Sequence, residues 1–165
     1  MNGVSTTEKI SMKTETQRAS LFLIIVLIFL CTGALAQQTG SAEQELFHAV
    51  NQERRAHGLP PLQWDEALAN AARAHAQRMA QQGTVTHQLP GEHNLLTRAR
   101  ADGAHFSWIS ENVDEGPNAK GIHQSFVRSP RHYGNMLDSD MDSIGIGIAE
   151  RNGQTYAVED FSKGR

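Results

Sequence analysis

Ser129-Pro130-Arg131-His132-Tyr133-Gly134-Asn135-Met136 spells the start of a helix and places a histidine in its first turn. Ser129 is a favourable N-cap, because its hydroxyl can accept a bond from a free backbone N–H two or three residues on. Pro130 suits the first helical position, where no N–H is needed and its fixed φ is already helical. His132 then falls third, near the positive end of the helix dipole. That position disfavours imidazolium and keeps the ring neutral, able to ligate a metal or accept a proton. Two readings stand here: a histidine placed for chemistry or binding, and one that merely serves the helix end.

Outward from this helix, the C-terminal side reads as strands. Ser143 to Ala149 alternates, with Ile144, Ile146 and Ile148 on one face and Gly145 and Gly147 on the other. Asn152-Gly153 is a hairpin turn signal, and Thr155 to Phe161 is the returning strand. Glycines along one strand face predict another backbone close by.

On the N-terminal side, Ile122 to Val127 reads as a helix, Gly116 to Lys120 as a turn and Trp108 to Val113 as a strand. Residues 84–107 are loop-like, with a short helical turn at Leu95 to Ala101. Asp65 caps an alanine-rich helix running to about Gln82, where Gly83 stops it. Its inward stripe is Leu68, Ala71, Ala72, His75, Ala76 and Met79. Ser41 with Gln44 forms a capping box opening a first helix to about His57, with Gly58 ending it and Pro60-Pro61 forcing an extended link. Helices first and strands last argue for an α+β fold, a small antiparallel sheet covered by helices.

The first 36 residues are expected to lie outside the folded domain. Leu21 to Leu30 is an unbroken apolar run, short for a membrane span and typical of a signal-peptide core. Lys13 and Arg18 precede it, and Ala34-Leu35-Ala36 offers small residues for cleavage before Gln37. The expected destination is the periplasm or the exterior; an uncleaved leader would instead anchor the chain in a membrane. Translation from Met12 would give a leader of more ordinary length. Cys31 is the only cysteine, so a mature chain has none, and neither disulfides nor thiol catalysis enter. Removing 36 of the 165 residues leaves 129, enough for one domain, residues 37–165, with a sizeable core. The net charge is −3. The leader has three basic residues against two acidic ones, so the mature chain stands near −4 and lacks the basic face of a nucleic-acid binder.

Glu111 shares a strand face with Ile109 and Val113. Either it is buried and therefore paired, hydrogen-bonded or protonated, or the strand is an edge and the carboxylate is solvated. His75 reads as a satisfied core histidine. His48 and His57 read as surface residues, and His93, His105 and His123 have no supporting context. His87, in the loop after the second helix, reads on its own as solvated. A His-Glu-x-x-His helix, a Gly-x-Ser-x-Gly elbow and a dinucleotide loop are all missing.

The order and spacing of several segments resemble the CAP superfamily, particularly its short bacterial branch. They are Leu46 through Arg55, Gly58-Leu59-Pro60-Pro61-Leu62-Gln63-Trp64, Leu68 through Ala72, Thr86-His87, Ser110-Glu111-Asn112-Val113, Ser129 through Leu137, Gly145-Ile146-Gly147 and Glu159-Asp160-Phe161. The resemblance implies an α–β–α sandwich with a three-stranded antiparallel sheet between helix layers. It also implies a cleft where His87, Glu111 and His132 meet. Ser129 stands where many members carry a second glutamate, Ser110 where glycine is usual, Phe126 where tryptophan is frequent and Tyr133 where bacterial members often have arginine.

Two imidazoles and a carboxylate make a credible set for zinc or another divalent ion. The resemblance leaves enzymatic activity open. The preferred expectation is a monomer that binds a small molecule, lipid or cell-envelope component. The alternative is a metal-assisted hydrolase with Glu111 as general base, and a further one is a polar knot in which Glu111 bridges both histidines.

Overall fold

Helix α2 (Glu66–Gln82) is the spine of the structure, and local chemistry sets both of its ends. Asp65 accepts the N–H groups of Ala67 and Leu68 at 2.8 and 3.0 Å, and Gly83 closes the helix in the left-handed conformation. Its small-residue stripe faces the sheet. A side chain at Gly145 would overlap the backbone of Ala69, and one at Gly147 the backbone of Ala72. The glycines of the alternating strand therefore exist to let α2 lie directly on it, as their pattern predicted.

This computed structural model describes residues 40–164. The leader, its cleavage point, Cys31 and the choice between Met1 and Met12 lie outside the described residues. Helix α1 covers residues 40–56 and already includes Ser41, so Ser41 sits inside the helix and is not its cap. After it come β1 (Gln63–Trp64), α2, α3 (Leu95–Ala101), β2 (Trp108–Gly116), α4 (Ala119–Arg128), α5 (Pro130–Met136), β3 (Ser143–Arg151) and β4 (Gln154–Lys163). The expected turn at 116–120 is shorter than read, because Asn118 accepts the Gly121 N–H and starts α4 early. The β3–β4 hairpin turns on Asn152 and Gly153, both at positive φ as that dipeptide requires.

The sheet order is β1-β3-β4-β2. The three long strands are antiparallel, as expected. A fourth strand of two residues, β1, was not foreseen; it pairs parallel with β3 through Gln63 and Trp64. Pro60 and Pro61 force this stretch to be extended, which lets it lie along the open edge of β3.

Helices cover both faces. Leu46 and Val50 of α1, Ile122 and Phe126 of α4 and Met136 of α5 pack on Ile144, Ile146 and Ile148. On the other face, Ala72, Ala76 and Met79 of α2 meet Val113, Tyr156 and Val158, while Leu68 and Ala71 meet Ala99 and Phe106. This is an α–β–α sandwich.

Fully buried Arg54 ties the α1 layer to the end of α5. It donates to the carbonyls of Pro60, Met136, Asp138 and Met141.

Candidate functional site

Strand β2 is an edge strand, and Glu111 and Asn112 sit side by side on it with opposite orientations. Each ties one helix layer to the sheet. Glu111 turns to the α2–α3 side, sharing it with Ile109 and Val113, and is only 2% exposed at its side chain. Its Oε1 accepts from His87 Nδ1 at 2.8 Å, and its Oε2 is held by the Arg98 guanidinium. Buried Glu111 is thus paired, as its place on an apolar face demands. Arg98 also donates to the His87 carbonyl at 3.1 Å, so one guanidinium fixes both the carboxylate and the loop that presents the imidazole.

Asn112, fully buried, turns the other way. Its Nδ2 donates to the His132 carbonyl at 3.1 Å and to Glu159 Oε2 at 3.0 Å. Asn135 Nδ2 returns a bond to Asn112 Oδ1 at 2.9 Å. Ser129 caps α5 as its sequence foretold, accepting the His132 N–H at 3.5 Å with Pro130 in the first position. The His132 ring stands edge-on to Phe126, with centroids 5.2 Å apart, and its buried Nδ1 has no partner.

The loop that carries His87 is anchored from below. His75, completely buried on α2, places Nδ1 2.9 Å from Glu92 and Nε2 2.8 Å from the Thr86 carbonyl. It is the satisfied core histidine its position implied. His48 and His57 are exposed, also as read.

Between the layers, along the β2 edge, lies a cleft of about 350 Å³. His87, Gln88 and Asn94 line it on one side and Arg131 and Asn135 on the other, with Ser110 and Glu111 between. His132 and Ser129 do not line it. His87 and Glu111 therefore meet in contact, while His132, on the layer that Asn112 faces, feels His87 through charge.

Both imidazoles are held below the ordinary value. For His87 the cause is burial, then the positive charges of Arg131 and Arg98, against the pull of Asp160. For His132 it is burial first, opposed by Asp114 and reinforced by Arg131 and His87. Neutral rings at pH 7 follow. Since ionised Glu111 can only accept, His87 donates through Nδ1 and keeps a lone pair on Nε2.

A divalent ion shared by His87, Glu111 and His132 does not fit this arrangement. Both Glu111 oxygens are engaged, one by a cation, and His132 is not among the residues that line the cleft. Among the described residues, no three His, Cys, Asp or Glu side chains are grouped to hold one ion.

Sequence reasoning missed Arg98 and the two acids behind the site. Arg98 had a signal: Leu95, Arg98 and Ala99 share one stripe of a short helix, so the arginine had to point inward. Glu159 and Asp160, both fully buried on β4, face opposite sides of the sheet opposite Asn112 and Glu111. Neither Asp160 oxygen has a partner, nor has Glu159 Oε1. Burial pushes Glu159 up to about 8 and Asp160 up to about 7, the latter against the pull of Arg98 and His87.

Known proteins share this architecture. YkwD of Bacillus subtilis is 28% identical over 120 residues, which are 72% of this chain and 47% of that protein. The membrane protein YlbC of the same organism is 25% identical over 127 residues, 74% of this chain and 35% of that one. The chain thus spans less than half the length of either relative. Among solved structures, an extracellular SCP-domain protein of Bacillus anthracis superposes with a TM-score of 0.71 at 23% identity, over 76% of this chain and 41% of that one. An outer surface protein of Borrelia burgdorferi also gives 0.71, at 21% identity, over 77% of this chain and 96% of that one. Residues 47–161, from within α1 to near the end of β4, match the profile of a family whose sandwich fold is the one seen here. The chain belongs to the cysteine-rich secretory protein family.

Proposed function

We propose that this chain is an exported binding protein whose cleft along the β2 edge takes a polar ligand of the extracellular space or cell envelope. The observation that carries this reading is the state of Glu111. With His87 on one oxygen and Arg98 on the other, the carboxylate is committed to anchoring the cleft wall, which supports a positioning role for it over that of a base. The lining offers carboxamides, an imidazole and a guanidinium, which suits recognition. Export is supported by the leader at residues 1–36 and by the extracellular and outer-surface descriptions of two structural relatives. Among the described residues, no helix is long and apolar enough to cross a membrane.

The test combines location with binding. Protein recovered from the periplasm or medium should begin at Gln37. Titration of the purified protein with soluble peptidoglycan fragments, teichoic-acid fragments and neutral chito-oligosaccharides, followed by NMR, should show saturable shifts at Gln88, Asn94 and Asn135 that His87→Ala weakens. No peptide, ester or glycan should be turned over. Turnover that Glu111→Gln abolishes without unfolding the protein would favour the hydrolase, with Glu111 as base. Loss of activity on chelation, together with zinc found in the purified protein, would restore the three-residue metal site.

A further inference from the structure

The polar atoms of the cleft divide into those already spent on the fold and those left open, and the open set describes a ligand. Asn94 Oδ1 accepts the Thr97 N–H, which leaves its Nδ2 to donate. Gln88 Nε2 donates to the Glu92 carbonyl, which leaves Oε1 to accept. Asn135 Nδ2 is spent on Asn112 Oδ1 and the Glu111 carbonyl, which leaves Oδ1 to accept. His87 Nδ1 is spent on Glu111, which leaves the Nε2 lone pair. The Ser110 hydroxyl is buried and has no partner.

The charges sort in the same way. Glu111 is neutralised by Arg98, which lies behind it and does not line the cleft. Arg131, from the opposite wall, makes no hydrogen bond or ion pair within the described residues, and it is exposed. The cleft therefore presents one uncompensated guanidinium beside three open acceptors, in a chain whose net charge is −3.

We infer that the cleft recognises a small anionic ligand, a carboxylate or phosphate carried on a framework of hydroxyl or amide N–H donors. This rests on the binding reading above. The anion pairs with Arg131, whose planar fork suits either group. Asn94 Nδ2 supplies a further donor. The donors of the ligand meet His87 Nε2, Gln88 Oε1 and Asn135 Oδ1. A purely anionic ligand would leave those three acceptors facing its oxygens, and a neutral one would leave the guanidinium unmatched. An acidic amino sugar satisfies both requirements, and so does a polyol phosphate. A volume of about 350 Å³ is near the lower end of small-molecule sites and suits a molecule of this size.

The experiment is calorimetric titration of the purified protein with three probes: N-acetylmuramic acid, N-acetylglucosamine and glycerol 1-phosphate. The first two share a sugar and an acetamide and differ by the O3 lactyl ether that carries the carboxylate. N-acetylmuramic acid should bind at least about tenfold more tightly than N-acetylglucosamine, a difference near 1.4 kcal/mol. Arg131→Gln should erase that margin, and added salt should narrow it. Arg131 is exposed and unpaired, so the variant should melt with the wild type. A stronger response to glycerol 1-phosphate would assign the anion as phosphate; a stronger one to the amino sugar would assign it as carboxylate. Equal affinity for both sugars in wild type and Arg131→Gln alike overturns the anionic assignment and leaves the cleft a polar binding site. Absence of saturable binding by all three probes overturns the assignment as well. The peptidoglycan and teichoic-acid titrations above then decide separately whether the cleft binds at all.

Discussion

At the scale of single residues, Arg98 carries more of the site than either histidine. It is 8% exposed at its side chain and neutralises a carboxylate that is 2% exposed. Removing it leaves a buried anion without its countercharge, which costs about 3–5 kcal/mol. Arg98→Ala should therefore lower the unfolding free energy by about that amount in urea denaturation. His87→Ala should cost less than about 1 kcal/mol, since that side chain is 44% exposed and its partner keeps Arg98. Equal losses for the two variants would show that the guanidinium is not the anchor. The sequence made Glu111 legible because a carboxylate on an apolar strand face must find a partner. It did not reveal the partner, because Arg98 and Glu111 meet only once α3 docks on β2. His132 is the reverse case. Its helix cap was readable to the residue from Ser129 and Pro130. That it would not line the cleft was not, because strand alternation sends Asn112, not Glu111, to its layer.

Among elements, α2 lies on β3 so closely that no side chain fits at Gly145 or Gly147. Gly147→Ala must push two backbones apart, so it should cost about 3 kcal/mol or more and lower the melting temperature sharply. Gly134→Ala is the contrasting substitution. Gly134 is exposed within α5, with open space where its Cβ would stand, and alanine there should stabilise by about 0.5–1 kcal/mol. Thermal melts of both variants check the pair. The two positions look alike in a composition count. They separate once alternation is seen in one and helical context in the other, which is why β3 was legible from its pattern. Strand β1 was not, because two residues are too few for any period and its pairing depends on where the Pro60-Pro61 link is led.

For the molecule as a whole, the sheet hides two acids whose burial makes them hold their protons to higher pH than ordinary carboxylates. Glu159 near 8 and Asp160 near 7 lie well above ordinary carboxylates. The folded state therefore binds protons that the unfolded chain has released, and stability falls as pH rises towards those values. His75, His87, His123 and His132, all held below 6.5, act in the opposite sense at lower pH. The acid effect stands clear between about pH 7 and 8.5, where Glu159 should contribute a fall on the order of 1 kcal/mol. Glu159→Gln should flatten that slope in denaturant titrations run across the range. A slope unchanged by the substitution would mean that Glu159 is already ionised in the folded protein.

Strand β1, for all its brevity, has a consequence beyond local pairing. An open sheet has two rims, and each is a template on which a neighbouring chain can polymerise. Here Gln63 and Trp64 occupy the Ser143–Ile144 end of the β3 rim, and the β2 rim is flanked by α3 and α5. Gln63→Pro would remove the backbone donor that meets the Asp142 carbonyl and bare the β3 rim. Such a chain should keep its cleft and yet self-associate more readily than the wild type, which light scattering during storage checks.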